Sequence, residues 1–378
     1  MKFISAVSFL STLLFCCSGF CSEQEIIKLE YSGNRNTLFC GGKVTTFADC
    51  MKKYLQKHNN ATAHDLLSLS YHGAFGAGCA FQGKAEEQQK LAADFAAVEA
   101  KDKPLFKIIS PDYCLIDLAA WKFRKLPETW LLNMYCASAE ALPDSPKIYD
   151  NYISDICRIM PQFSQYLKQN AEKNPSLNIA KKSQYRVVSN RLLQMIPVLL
   201  KLAEFQGTAP RVIAIDGRAG SGKTTLSRQL AAVIGAGTVH MDDFFLPLEL
   251  RTKDRLNEPG GNVHYERFKA EVLPHLKNSS AFAYRRFDCS KMAPGEMRSV
   301  TSSRWKIVEG AYSFHPALGN YADLKIFYDI SRSEQLKRIR KRNGEKAVAA
   351  FTSRWIPLEE KYIKTFNIKE KADIVIGD

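Results

Sequence analysis

Long apolar runs are almost absent from this 378-residue chain, and so are paired cysteines. One run, Phe3 to Phe15, is free of charge, but it is too short to cross a bilayer comfortably, so no stable membrane span is expected. No two cysteines stand in a C-x-x-C pair. That removes the usual sequence sign of a zinc site or a thioredoxin-like redox centre. Only Cys289 lies beyond residue 207. There is no internal repeat, no low-complexity tract and no set of aromatics interleaved with basic residues of the kind that binds RNA. A charged fraction of 24% beside a hydrophobic fraction of 46% is ordinary for a globular protein and argues against disorder.

Charge leans to the basic side, with a formal excess of +14. Arg211 to Asp378 holds 29 Lys and Arg against 20 Asp and Glu, so the excess is spread over both halves and not gathered in a tail. That balance fits a solvated basic surface or a phosphorylated ligand, and no nucleic-acid partner is expected. Residues 1–22 have the layout of a secretory signal peptide: a positive start at Lys2, the apolar run, small residues at Ser18 and Gly19, and acid from Glu23 onward. Cleavage falls near Cys21. Six further cysteines lie from Cys40 to Cys157. In an exported domain they can close three disulfides, with fifteen pairings open; otherwise they are buried free thiols.

Residues 23–206 read as a mostly α-helical domain. Thr46 caps a helix through Lys57, Thr62 caps one through His72, and Lys84 to Ala100 is rich in helix formers. Leu105 to Ser110 reads as a strand, and Glu128 to Leu142, Ile148 to Met160 and Tyr185 to Phe205 as further helices. Gly73 to Gly78 reads as a tight turn between helices. Gly207-Thr208-Ala209-Pro210 is a breaker that starts a second domain, 207–378. There the pattern changes. Arg211 to Asp216 is a β-branched apolar run, followed by a helix from Lys223 to Ile234 and further runs at Thr238 to Met241, Trp305 to Val308, Leu324 to Tyr328 and Ile374 to Ile376. Strands alternating with helices predict an α/β fold, a parallel sheet with flanking helices.

Residues 217–224 read Gly217-Arg218-Ala219-Gly220-Ser221-Gly222-Lys223-Thr224, which meets G-x-x-x-x-G-K-[ST] at every fixed position, between a predicted strand and a predicted helix. The glycines let successive N–H groups turn inward on phosphate oxygens, and the helix after them presents its positive end. Thr225 continues that helix start. Lys223 brings a point charge to the outer phosphates, and Thr224 a hydroxyl for Mg²⁺. The loop therefore predicts triphosphate binding. A GTPase-type N-K-x-D segment is absent, as are further helicase motifs. Downstream, Asp242 ends the strand next to the loop strand, where a carboxylate can take the proton of an attacking hydroxyl. Glu309 ends another strand and is placed to hold Mg²⁺ directly or through water. Arg338 and Arg342, one helical turn apart, share a face and can close over the transferring phosphoryl group, while Arg340 points elsewhere.

In that order these residues resemble the uridine kinase / phosphoribulokinase / pantothenate kinase group of P-loop kinases, over roughly Val212 to the C-terminus. The resemblance rests on Ile215 to Ser227, His240 to Phe245, Glu258 to Phe268 and Val308 to Gly310, with Trp355 to Glu360 in support. It implies a parallel sheet of about five strands with a lid, ATP or GTP as donor, Mg²⁺, and a small-molecule hydroxyl acceptor. By position it implies catalytic roles for Asp242, Lys223, Arg338 and Arg342, and acceptor-side contacts at Asn262, His264, Arg267, Tyr284 and Arg286. One position departs: His264 stands where many uridine kinases carry an aspartate on the ribose hydroxyls, so uridine itself is not implied. The alternative to a kinase is a nucleotide-binding sensor or regulator with no acceptor. The leader implies export, whereas kinase chemistry implies the ATP-supplied cytoplasm.

Overall fold

The computed structural model describes residues 46–77, 81–139, 144–171 and 184–377, with the backbone of three short strands before them: β1 (Glu30–Tyr31), β2 (Leu38–Cys40) and β3 (Lys43–Thr45). The leader, residues 1–22, lies outside the described residues, as do Gly78 and Cys79.

The N-terminal half packs helices α1 (Phe47–Lys57), α2 (Ala63–Phe75), α3 (Lys84–Ala97), α4 (Leu118–Phe123), α5 (Glu128–Ala137), α6 (Ser145–Ile159), α7 (Ser164–Asn170) and α8 (Ile196–Ala203) around an antiparallel sheet. That sheet has the order β4 (Phe106–Ile108), β5 (Tyr113–Asp117), β6 (Tyr185–Ser189). Thr46 and Thr62 each form a reciprocal capping box with an aspartate three residues on, so both helix starts follow from local chemistry. The first glycine of Gly73 to Gly78 belongs to α2, and the chain turns only at Gly76. The predicted helix from Tyr185 to Phe205 is not a single helix. Its first five residues, with Val187 and Val188 at the centre, pair with β5 and are a strand; a 3₁₀ turn over Asn190–Met195 follows, and only then α8. Pairing with β5 overrides an apolar pattern that short segments share between helix and strand. Cys50, Cys114, Cys136, Cys157 and Cys289 are free thiols, so among the described residues no disulfide forms. Cys50 and Cys114 are buried, and that burial pushes their thiols up.

The C-terminal half is built on a five-stranded parallel sheet. Its strands are β7 (Arg211–Gly217), β8 (Gly237–His240), β11 (Trp305–Glu309), β12 (Leu324–Asp329) and β13 (Ile374–Gly377), in the order β13-β12-β7-β11-β8. A separate antiparallel hairpin, β9 (Phe282–Asp288) with β10 (Ala293–Val300), went unread in the sequence because its charged residues break any strand periodicity. The helices are α9 (Lys223–Ile234), α10 (Lys253–Asn257), α11 (Tyr265–Glu271), α12 (Leu273–Leu276), α13 (Arg332–Asn343), α14 (Glu345–Ala350) and α15 (Ile356–Phe366). Among the described residues no helix is long and apolar enough to cross a membrane.

Alternation along β7 sends side chains to opposite faces. Val212 and Ala214 join a core with Phe268, Tyr362 and Ile363. Ile213 and Ile215 join a different core with Leu226 and Leu230 of α9 and with Leu193, Ile196, Leu199 and Leu202 of the N-terminal half. One face of the parallel sheet is thus covered by residues from before Gly207. Trp130 meets Trp305 at 6.2 Å between rings, Asn133 donates to the Val233 carbonyl at 2.8 Å, and Tyr328 donates to Gln194 at 2.7 Å. Leu199→Ala is expected to cost about 2–5 kcal/mol through lost burial and a residual cavity. Because the core is shared, urea unfolding followed by tryptophan fluorescence should shift as one transition; two transitions with only one displaced would count against the shared core.

Candidate active site

The loop after β7 is shaped by contacts that only glycine permits. Gly217 has φ of 143°, and a Cβ there would lie 2.1 Å from the Tyr328 carbonyl oxygen of β12. Gly222, at φ of 111°, caps α9. Lys223 opens α9 and folds its ammonium back onto the carbonyls of Gly217 and Arg218, at 2.8 and 2.9 Å. Ala219, Gly220, Gly222, Lys223, Thr224 and Thr225 line a cleft of about 860 Å³. The Arg218 side chain turns away from it, bonding Asp329 at 2.6 Å and pairing with Glu360. Ser221, within the loop, is buried.

Thr224 donates its hydroxyl hydrogen to Glu309 Oε2 at 3.2 Å, and His240 Nδ1 lies 2.5 Å from Glu309 Oε1. Parallel pairing of β11 with β8 sets that second contact, since Glu309 and His240 are register partners. Among the described residues no cluster of three or more His, Cys, Asp or Glu can hold a metal on its own. Two adjacent hard oxygens that leave further positions to phosphate and water are nonetheless what Mg²⁺ takes. Thr224 and Glu309 therefore fit that ion.

Asp242 and Asp243 are neighbours in sequence with different surroundings. Asp242 opens into the cleft. Desolvation by the protein walls around it raises its carboxyl above the ordinary range against the pull of Lys223, and Glu309 and Asp243 push the same way. Asp243 is buried, accepts the Tyr284 hydroxyl at 2.8 Å and pairs with Arg298 at 3.0 Å. It holds the β9–β10 hairpin to the end of β8.

Arg338 and Arg342 of α13 line the cleft, as does Lys341, while Arg340 pairs with Glu345 away from it. Arg338 donates to the Ser221 carbonyl at 2.8 Å, which brings the basic helix onto the loop. Helix α15 adds a contact that sequence reasoning missed. The Glu359 carboxylate accepts the Ala219 N–H at 2.6 Å and the Gln335 amide at 2.9 Å, and burial raises its pKa. The available signal was the pair of acids at the end of Trp355 to Glu360; their two targets, Arg218 and Ala219, are distant in sequence.

Of the five residues expected on the acceptor side, Asn262 lines the cleft and the other four do not. His264 precedes α11 and donates its backbone N–H to Phe244. Arg267 is spent on the carbonyls of Asp243 and Arg285, at 2.8 and 2.6 Å. Tyr284 is 1% exposed, with its hydroxyl on Asp243. Arg286 faces Asp243 and Glu296. The side chains of Arg267, Tyr284 and Arg286 serve the joint between hairpin and sheet. Phe245, Arg251, Cys289, Met292 and Tyr312 line the cleft instead.

No family model matches the sequence, and no curated protein does. Solved structures do. A candidate uridine kinase from Bacillus stearothermophilus is 18% identical, aligned over 48% of this chain and 97% of its own, with a TM-score of 0.38. A candidate fructose transport system kinase from Silicibacter is 22% identical over 46% of this chain and 94% of its own, also at 0.38. About half of this chain is unmatched in each.

Gly217→Ala tests the loop geometry. A methyl group there meets backbone and cannot be accommodated by a rotamer change, so a loss of at least about 1–3 kcal/mol is expected, together with weakened ATP binding. Thermal unfolding with and without ATP checks both; a stability equal to the parent would show that β7 and β12 part freely.

Proposed function

We propose that the protein is a small-molecule kinase that transfers the γ-phosphate of ATP, or of GTP, to a hydroxyl of a nucleoside or related metabolite, in the manner of uridine kinase-like enzymes. The observation that carries this reading is Asp242: a carboxylate open to the same cleft as Lys223, Thr224 and Glu309, beside but distinct from a structural Asp243.

In this scheme the loop N–H groups and Lys223 hold the triphosphate. Thr224 and Glu309 would hold a Mg²⁺ ion, which would supply charge neutralisation on the phosphates. His240 fixes the Glu309 carboxylate. Asp242 orients the acceptor hydroxyl and accepts its proton as the oxygen bonds to the γ-phosphorus. The bond from that phosphorus to the β–γ bridging oxygen breaks, and the diphosphate leaves. Arg338 and Arg342 neutralise the charge spread over the moving phosphoryl group. The sensor reading has one observation of its own, the packing of the N-terminal half against α9. A screen of nucleosides and sugars separates the two, because acceptor-dependent ADP release belongs to a kinase and binding without any acceptor to a sensor.

Lys223→Ala and Asp242→Asn are each expected to lower acceptor-dependent ADP release by at least about a hundredfold, with Asp242→Asn still binding ATP; normal turnover by Asp242→Asn removes the base assignment. The raised carboxyl of Asp242 also sets a pH dependence. Below its pKa the group is protonated and cannot accept the hydroxyl proton. kcat/KM should therefore fall as pH drops through a value above the ordinary carboxylate range, near 3.9. An acid limb at or below that range would show that Asp242 is not the titrating group.

A further inference from the structure

A second cavity, of about 340 Å³, lies in the N-terminal half between α2, α3, α5 and the strands β5 and β6. It shares no lining residue with the cleft at the phosphate loop. His72, near the end of α2, lines it and is 4% exposed. Its Nδ1 lies 3.5 Å from the Gly76 carbonyl oxygen, which can only accept, so the ring proton is best placed on Nδ1. Burial lowers the pKa of the ring and keeps the imidazole neutral. Nε2 is then a bare acceptor, and among the described residues it has no hydrogen-bond partner. A buried acceptor left unmatched is a cost the fold bears unless a ligand donates to it.

The charged groups around this cavity are balanced. Arg186 of β6, 9% exposed, donates to Asp94 of α3 at 2.6 Å and to the Tyr185 carbonyl at 3.1 Å. Glu87, 4% exposed, has the Lys90 ammonium at 3.4 Å, and Lys90 also pairs with Glu86 at 3.0 Å. Two lining acids thus face two lining bases, and each of those cations already has an acid partner. Apolar surface comes from Leu115, Val187 and the ring of Tyr135, with the Arg186 guanidinium 5.9 Å from the ring centre. Tyr135 belongs to α5, the helix whose Asn133 holds the Val233 carbonyl of α9, so one wall of the cavity is also a support of the parallel sheet.

We propose that this cavity is a second binding site, for a small uncharged polyhydroxyl compound of monosaccharide size. One hydroxyl donates to His72 Nε2. Others meet the carboxylates of Glu87 and Asp94 and the guanidinium of Arg186, and the carbon face rests on Tyr135, Leu115 and Val187. A hydroxyl both donates and accepts, so it alone satisfies an acid, a base and a neutral imidazole in one small space. A charged ligand would give up its hydration and find every counter-ion already paired. The volume sits at the lower end of the range for small-molecule pockets, about 300–1,000 Å³, which suits a ligand smaller than a nucleotide. Phosphotransfer plays no part in this binding.

The test uses the full chain without ATP, so that no probe is phosphorylated. Glucose, myo-inositol and sorbitol are the neutral probes; gluconate and glucamine carry the sorbitol skeleton with an anionic or a cationic end. Hydrogen exchange locates the binding, and calorimetric titration gives its strength. At least one neutral probe is expected to protect amides of α2, α3 and β6, and to bind at least about tenfold more tightly than either charged probe. His72→Leu should weaken that binding about tenfold, the effect of one hydrogen bond lost with the ligand's donor left unpaired, and His72→Gln should keep part of it. Ala93→Trp, at an exposed position on the cavity's rim, should abolish binding and leave thermal unfolding unchanged, which separates a blocked cavity from a damaged fold. Protection confined to the segments around the phosphate loop, tighter binding of a charged probe, or parent-like binding by His72→Leu or Ala93→Trp overturns the assignment. So does the absence of protection with every neutral probe.

Discussion

The carboxylate of Asp216 stands at the end of the central strand, out of reach of solvent, and four donors converge on it. The N–H groups of Gly217, Tyr312 and Phe314 and the hydroxyl of Tyr362 lie between 2.7 and 3.2 Å from its oxygens. Burial raises its pKa, and these hydrogen bonds and the nearby Lys223 work against that rise. A buried acid needs such partners, so meeting that need fixes three segments at once. The first is the start of the phosphate loop. The second is the turn after Glu309, which sets the direction of Tyr312. The third is α15, which carries Glu359 onto the Ala219 N–H. The loop, the turn after Glu309 and the C-terminal helix are therefore held to one point.

The loop residues 217–224 were legible because phosphate chemistry dictates residue type at each fixed position and the contacts are local. Glu309 was legible for a related reason: it ends β11, which lies beside the loop strand. Asp242 does not end a neighbour of that strand as expected: it sits in the 3₁₀ turn Met241–Phe244 after β8, and β11 separates β8 from β7. The capping boxes at Thr46 and Thr62 are also local chemistry. What failed was non-local. The strand Tyr185–Ser189 depends on a partner some seventy residues earlier. A motif resemblance gave the chain position of His264, Arg267, Tyr284 and Arg286 but carried no information on which way their side chains face. Three of those four, Arg267, Tyr284 and Arg286, are gathered around Asp243, a residue whose burial no local pattern announces.

The basic excess of the C-terminal half divides in a way the total charge hides. Many of its arginines are consumed by acids that join one element to another: Arg218 with Asp329 and Glu360, Arg255 with Glu266, Arg298 with Asp243. Those pairs position elements and contribute little net field. The cations left facing the cleft with no acid partner among the described residues are few, namely Lys223, Arg251, Lys341 and Arg342; Arg338 faces it too but pairs with Glu334 at 2.8 Å. The electrostatic character of the site follows from this small remainder.

The core shared between α8 and the sheet also dictates an order of events during synthesis. Leu193, Ile196, Leu199 and Leu202 leave the ribosome before the strand that carries Ile213 and Ile215, and well before β12 and β13. Until those strands arrive that face has only its N-terminal partners in the shared core, such as Leu118, Trp121 and Leu131, and a parallel sheet whose neighbours lie far apart in sequence is slow to assemble. The nascent N-terminal half is thus exposed to chaperones and to misassociation for as long as the second half takes to emerge, a hazard set by the topology and independent of how stable the finished molecule is.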